Sequence, residues 1–323
     1  MKFDKRKFIR TGMKVIDFHF IRQHVSTLSL LFVFTPLISF AQGYIEGANI
    51  SYEFSPLKIK TPEGDQTFSG HNVKVGTTVP IFLTPNRSKY LLVGGNFEAF
   101  DFEGSHVDFP VERTYSISPT VGYSTMVGKK LNLTALFMPT LNSDYKDVKG
   151  SDIKLGGVVR ASWKSSETLT WKATLGYRQQ FYGPLYIVLL GMDWKVNEKW
   201  RIFGDFPHSA TVSYALNDKV NTGFNLTVQN TTYRLEYQKR YFEYNSVNPG
   251  LFAEFYISPN WAVRATASYS LIRDMEVYNE HDKTDGFIDF YEMGNRKDPI
   301  NPEVSSGLAF KVGLSYRIFP GKK

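Results

Sequence analysis

Fifteen charged side chains recur at alternate positions within otherwise apolar segments of this 323-residue chain. The set comprises Glu53, Lys74, Glu98, Lys154, Arg160, Lys172, Arg178, Asp193, Lys195, Arg201, Asp205, Glu254, Arg264, Lys311 and Arg317. Successive side chains of a β-strand point to opposite faces, so these charges share one face while aliphatic and aromatic residues take the other. A Lys or Arg that faces lipid at mid-membrane costs about 2–4 kcal/mol. The pattern therefore predicts a wall with a polar inner face and a lipid-facing outer face.

Two kinds of chemistry are open to such an inner face. Cations outnumber anions in the set by two to one, and positive side chains lower the barrier to negative solutes. This predicts a passage with a mild preference for small anions. Alternatively, the same charges form ion pairs that close the bore. The bore is narrowed further by inward bulky residues such as Phe82, Leu136, Phe203, Phe252 and Tyr256. A barrel of about twelve to fourteen strands is intermediate in size between small barrels filled by side chains and large barrels that hold water.

Catalytic chemistry has less support in the sequence. Beyond residue 41 the histidines are His71, His106, His208 and His281, each at a strand end or in a loop. Three of them adjoin a serine or an acid, but neighbouring strand residues point apart, so adjacency alone does not create a nucleophile and base pair. We therefore expect no enzyme activity and no cofactor. A lipid hydrolase at the barrel rim is kept as an alternative.

The segment Arg273–Val304 is rich in acids. They are Asp274, Glu276, Glu280, Asp282, Asp285, Asp289 and Glu292. Oxygen-rich loops bind hard cations such as calcium, but this spacing matches no EF-hand. We expect a solvated loop that folds partly over the barrel mouth, and no metal site. Because binding functions concentrate in such loops, this segment is also the candidate contact for a partner or a surface sugar.

Strands with a period of two position these charges. The clearest runs from Leu308 to Phe319, with an apolar face that includes Phe310 and Val312. Fourteen such segments, joined alternately by short turns and longer polar links such as Leu57–Gly70, predict an all-β fold. The fold is a closed antiparallel transmembrane β-barrel with short periplasmic turns and long outer loops.

Two places weaken the strand pattern. The ninth and tenth segments, joined at Phe206-Pro207-His208, have about eight residues each where a tilted spanning strand needs roughly 9–11. Twelve strands is therefore the alternative count. Pro119 and Pro139 are the second place, because proline removes a ladder hydrogen bond, and we expect a local kink or bulge there.

Residues 1–41 are predicted to be a signal peptide, and residues 42–323 the barrel domain. A basic stretch precedes an apolar segment that ends at Ala41, so Gln42 would begin the mature chain. Removing 7 Lys/Arg and 2 Asp/Glu from the totals of 38 and 31 leaves 31 against 29, a net charge of +2. Nucleic-acid binding then has no electrostatic support. The chain has no cysteine, which excludes disulfides and thiolate metal sites.

Three short segments carry a family resemblance. They are Val75-Gly76-Thr77-Thr78-Val79-Pro80-Ile81-Phe82, Phe137-Met138-Pro139-Thr140-Leu141-Asn142-Ser143-Asp144, and Phe206-Pro207 followed by Tyr214-Ala215-Leu216. In these the chain resembles an exported β-barrel family of Bacteroidota, known only as a domain of unknown function. The resemblance implies an outer-membrane location, with lipid and the barrel-assembly machinery as partners. It supplies no catalytic residues.

Together these observations predict an integral outer-membrane barrel that passively moves small, possibly anionic, solutes. The alternative from another class is a closed structural or adhesive barrel that works through its outer loops.

Overall fold

The computed structural model describes residues 44–62, 64–104, 109–235, 239–288 and 291–319. The predicted signal peptide, residues 1–41, and the cleavage pair Ala41 and Gln42 lie outside the described residues. Within them the chain is mostly β-strand, with a 3-10 turn at Gly150–Asp152. No helix in these ranges is both long enough and apolar enough to cross a membrane. Strands therefore define the architecture.

The strands, in chain order, are β1 (Ile45–Thr61), β2 (Gly64–Phe82), β3 (Lys89–Glu103), β4 (Arg113–Val127), β5 (Leu131–Phe137), β6 (Thr140–Ser143), β7 (Ile153–Lys154), β8 (Gly156–Lys164), β9 (Leu169–Gln179), β10 (Pro184–Lys195), β11 (Trp200–Phe206), β12 (Ser209–Asn217), β13 (Val220–Leu235), β14 (Arg240–Tyr256), β15 (Trp261–Ser270), β16 (Ile272–Asn279), β17 (Gly286–Ile288), β18 (Tyr291–Met293) and β19 (Gly307–Ile318).

These strands build one closed antiparallel barrel of fourteen wall strands. Three wall strands are interrupted once: β5 continues as β6, β7 as β8, and β15 as β16. The first break contains Pro139, which cannot donate a ladder hydrogen bond. The ring closes where β1 pairs with β19, as in Phe54 opposite Phe310. Because the short strands β11 and β12 belong to the ring, the predicted count of fourteen is confirmed and twelve is wrong.

The two ends of the barrel differ. Short connections, such as 128–130, 165–168 and 257–260, lie at one end, which we call the turn end. The opposite end, the loop end, holds the longer segments, including 280–306. The longer polar link predicted over Leu57–Gly70 is wrong, because β1 runs to Thr61 and β2 begins again at Gly64. Leu57, Ile59 and Phe68 are buried in a core in this region, so the strands continue through it.

The outer surface of the barrel is a belt of exposed apolar side chains. Leu175, Leu190 and Leu251 are 62%, 70% and 69% exposed. The tryptophans all lie at the turn end: Trp163, Trp171, Trp194, Trp200 and Trp261. Tyrosines such as Tyr177 and Tyr186, whose rings are 5.6 Å apart, lie nearer the loop end. An apolar belt between two aromatic girdles is the surface that a bilayer solvates.

The bore is not empty, because part of the wall folds into it. The loop-end halves of β13 and β14 and the strand β16 form a three-stranded unit of residues 229–235, 240–247 and 272–279, here called the inner sheet. β12 pairs with β13 only as far as Ser209 opposite Thr227. Beyond that point, β13 crosses to β6: the Asn142 side-chain amide donates to the Thr232 carbonyl at 2.9 Å. Buried backbone groups need such partners, so the short β12 explains the crossing.

Candidate solute site in the barrel bore

A polar cavity of about 400 Å³ lies in the bore. Its wall combines hydroxyl and amide side chains with charged ones. The charged residues on the wall are Glu46, Glu53, Lys74, Glu98, Arg178, Asp205, Glu254, Arg264, Lys311 and Arg317. Nine of these ten belong to the fifteen charges singled out in the sequence. A cavity of this size matches sites that hold small molecules.

One group of cavity charges joins three adjacent wall strands. Glu254 of β14 lies opposite Arg264 of β15, with Nη2 2.7 Å from Oε2. Arg317 of β19 donates to both oxygens of the same carboxylate, at 3.0 and 2.5 Å. The Arg317 guanidinium also lies 4.5 Å from the centre of the Tyr44 ring. Such two-oxygen pairing fixes the geometry and neutralises the charge locally.

A second group lies on the neighbouring strands. The Lys74 ammonium is 3.2 Å from the Glu98 carboxylate, which also accepts a 2.6 Å hydrogen bond from the Asn72 side chain. On β1 and β19, Glu53 and Lys311 stand directly opposite each other. All four charges line the cavity.

A third group is packed into the wall formed by β8 to β11. Arg160 Nη2 lies 3.0 Å from Asp205 Oδ2, and Arg201 donates to Asp193 at 2.8 and 2.5 Å. Lys172 is buried close to these four side chains. Of the five, Asp205 also reaches the cavity wall.

The three remaining predicted residues have separate surroundings. Arg178 is buried and lines the cavity. The Lys154 ammonium lies 4.3 Å from the centre of the Phe181 ring. Lys195 is exposed at the end of β10, so it lies apart from the cavity.

Sequence reasoning missed Glu46. Strict alternation from outward Ala48 would place Glu46 on the lipid side as well. A β-bulge between Glu46 and Ala48 shifts the register, and Glu46 lines the cavity. A bulge inserts one residue and so reverses the side chains before it, which period-two counting cannot detect.

The charge balance of the cavity differs from that of the predicted set. Five cations and five anions line the cavity, whereas the fifteen predicted residues hold twice as many cations as anions. Of the five cations of that set that do not line the cavity, Arg160 and Lys172 are buried, whereas Lys195 is exposed. The cavity therefore carries no net formal charge.

The loop end of the bore is filled by an aromatic core. The inner sheet contributes Phe242 and Tyr244, and the facing wall contributes Phe100 and Phe102. Ring centres of Phe100 and Tyr244 are 5.3 Å apart, and those of Phe102 and Phe242 are 5.8 Å apart. These contacts join β14 to β3, which lies five strands away around the ring, so the inner sheet closes the bore at this level.

Arg273 anchors the inner sheet to the wall. This buried side chain lies at the start of β16 and donates to the carbonyl oxygens of Pro56, Gly307 and Leu308 at 3.1, 3.1 and 2.9 Å. It also donates to the Ser270 hydroxyl at 3.1 Å. One guanidinium thus holds β16 against both β1 and β19.

Arg296 fastens the 280–306 segment onto the inner sheet. Its guanidinium pairs with buried Glu243 of β14 and lies 3.5 Å from Glu292 of β18. It also stacks 4.0 Å from the Tyr278 ring centre on β16. Burial lowers the pKa of Arg296, but Glu243 and nearby tyrosines outweigh this and raise it above its ordinary value. Burial raises the pKa of Glu292.

The predicted solvated loop over Arg273–Val304 is wrong in part. Residues 272–279 form β16 of the inner sheet, and Arg273, Met275, Val277 and Val304 are buried. Deletion of this whole segment would therefore remove part of the bore closure as well as an outer loop. The segment 280–306 is the part that lies over the mouth.

The histidines are dispersed. His71 faces outward, with Nε2 2.9 Å from the Ser69 hydroxyl and Nδ1 2.7 Å from the Tyr52 hydroxyl. His208 is buried at the cavity wall and His281 is exposed; His106 lies outside the described residues. A hydrolase at the barrel rim would need a serine in contact with a histidine, and Ser69 and His71 are in contact. In a serine triad an acid binds the other ring nitrogen of the histidine, whereas here Tyr52 binds Nδ1.

The chain belongs to the family described as Domain of unknown function (DUF6268), whose model matches residues 41–317. This confirms the predicted membership of a family of unknown function, whereas the Bacteroidota origin stays a prediction. None of the curated proteins matches the sequence.

Several solved structures are similar in fold. An outer membrane channel from Pseudomonas putida F1 shows 8% identity and a TM-score of 0.41, over 84% of this chain and 96% of that one. The toluene transporter TodX of P. putida shows 9% identity and a TM-score of 0.41, over 86% and 91%. The NanC porin shows 8% identity and a TM-score of 0.36, over 84% and 99%. Similarity at this level carries no argument about function.

Proposed function

We propose that the protein is an outer-membrane channel for small polar solutes, closed at its loop end by the inner sheet in the state described. The polar cavity of about 400 Å³ inside a lipid-facing barrel carries this proposal. The apolar belt and the aromatic girdles support insertion in the outer membrane, with the turn end in the periplasm. Because the cavity wall bears equal numbers of cations and anions, we expect weak selectivity between them.

A second candidate is a closed barrel that acts through its outer segments. The aromatic core between the inner sheet and the wall favours it, since such a core excludes water from the bore. In this case the segment 280–306 would carry the function. Removing that segment would abolish binding of a surface partner and leave the wall intact.

A truncated hairpin separates the two candidates. Gln229 and Ser246 are opposite each other on β13 and β14, so an Asn-Gly turn can replace residues 230–245 without changing the register below. The full chain and this variant would be purified from outer membranes of an expressing host and inserted into liposomes. Swelling would then be measured in neutral sugars of graded size.

The channel proposal expects slow entry of the smallest sugars with the full chain, and faster entry with a larger size limit for the variant. Heat-modifiable migration on gels would show that both barrels are folded. If neither folded protein admits any sugar, the bore does not conduct and the closed-barrel candidate is favoured.

A further inference from the structure

Two opposite charges in the cavity face each other without forming a close ion pair. Glu53 and Lys311 both line the cavity and stand opposite each other in the β1–β19 ladder. Among the described residues, no ion pair within 4.0 Å and no side-chain hydrogen bond engages either group. Their neighbours differ, because Lys74 pairs with Glu98 at 3.2 Å and Arg264 with Glu254 at 2.7 Å. A confined charge that is not in contact with a counter-ion is incompletely neutralised, so a solute that carries both charges can gain free energy by binding between these two groups.

The position of the two groups selects the chemistry of the solute. Side chains directly opposite on antiparallel strands have Cβ atoms about 4.5–5.5 Å apart, so both charged groups enter the same part of the cavity. The nitrogen and the carboxyl carbon of an α-amino acid are about 2.5 Å apart, as standard bond lengths and angles dictate. One such molecule therefore presents a carboxylate to Lys311 and an ammonium to Glu53 at the same time, each through a charge-assisted hydrogen bond.

Two hydroxyl side chains on the cavity wall lie beside the couple. Thr266 lies opposite Lys311 on β15, and Ser51 comes two residues before Glu53 on the inward face of β1. These hydroxyl groups can bind the polar remainder of the solute.

We propose that the solute is a zwitterion with adjacent ammonium and carboxylate groups, of the α-amino-acid class, held between Glu53 and Lys311. This proposal rests on the channel function proposed above. The balanced cavity charge agrees with it, since a net positive wall would favour simple anions. The cavity volume admits one such molecule.

The test compares solutes of similar size in the liposome assay with the full chain. Threonine carries both charges on one carbon, N-acetylglycine only the carboxylate, threoninamide only the ammonium, and erythritol neither. We expect threonine to enter faster than the other three. Loss of either charge-assisted contact should reduce that advantage by about tenfold, in Glu53→Gln and in Lys311→Met. Lys195→Met, which removes a cation that lies apart from the cavity, should retain the advantage.

Each outcome bears on the inference. Equal entry of all four solutes, or an advantage that survives both substitutions, would overturn it while the channel stands. If no solute enters, titration calorimetry of the detergent-solubilised barrel with threonine decides. Heat of binding that disappears in Lys311→Met would keep the site without conduction, and an absence of binding would eliminate it. Heat-modifiability on gels excludes variants that do not fold.

Discussion

Arg296→Met keeps the bulk of the side chain and removes its guanidinium from the inner sheet. In the described structure this group neutralises Glu243, whose side chain is 1% exposed, and stacks on the Tyr278 ring. The substitution leaves the Glu243 carboxylate buried without that cation. The inner sheet relieves the cost by moving the carboxylate into water, which opens the loop end of the bore.

The magnitude follows from the burial of both groups. Removing one partner of a buried ion pair destabilises by about 3–5 kcal/mol, because the remaining charge stays desolvated. The side chain of Arg296 is 8% exposed, so the pair belongs to this class. Three kcal/mol corresponds to about a hundredfold change in the ratio of closed to open barrels.

Single-channel recording in planar bilayers measures that ratio directly. We expect the open probability of Arg296→Met to rise by about this factor until it saturates. The double variant Arg296→Met/Glu243→Gln should close again in large part, because a neutral amide is easier to bury than a carboxylate. Lys164→Met, which removes a cation from an exposed pair with Glu167 at the turn end, is the matched control and should leave the open probability unchanged.

Two results would refute this reasoning. An unaltered open probability in a folded, heat-modifiable Arg296→Met barrel would mean that the Arg296 cluster does not hold the inner sheet in place. A double variant that is as open as the single one would mean that the unpaired Glu243 charge is not the cause of opening.

Three further predictions concern closure and the wall. Burial raises the pKa of Glu292 in the closed state, so protonation of Glu292 stabilises that state. The closed state should therefore become more stable as the pH falls from neutrality through this raised pKa toward the ordinary value. Single-channel recordings should show fewer openings over that range. Glu292→Gln should flatten that pH response, and an unchanged response would contradict it. Phe242→Ala empties a fully buried position at a cost of about 3–5 kcal/mol, so larger sugars should swell the liposomes; the same size limit as the full chain would count against the aromatic core as the barrier. Gly94→Ala places a Cβ 2.1 Å from the Thr77 carbonyl oxygen and should abolish heat-modifiable migration by separating β2 from β3, whereas a normal folded band would show that the backbone adjusts.

The wall could be predicted from the sequence because one rule governs it. Lipid on one side and polar groups on the other impose period two, and Phe310 and Val312 are exposed on the outer face as that rule requires. The short strands β11 and β12 leave the predicted number of strands at twelve or fourteen, since the length of a segment alone does not show whether it joins the ring.

The inner sheet and the balanced cavity could not be predicted in this way. Tyr233 and Arg234 are neighbours on β13 and both are buried, so alternation gives no signal where both faces of a strand are covered. The bulge beside Glu46 turns its carboxylate inward, and counting alternate residues cannot detect a bulge. The sequence pattern predicts a solvated loop around Arg273 and Arg296, because the partners of these two side chains lie far away in the sequence.

The placement of the tryptophans has a spectroscopic consequence. Since every indole of the chain lies at the turn end and faces outward, intrinsic fluorescence reports on one membrane interface alone. A quencher confined to one side of sealed vesicles would therefore reveal which way the barrel is inserted, without any label. Tryptophan emission would not change when the inner sheet rearranges, because none of the tryptophans lies in it. Orientation can therefore be followed by fluorescence, and opening by channel recording, as independent signals.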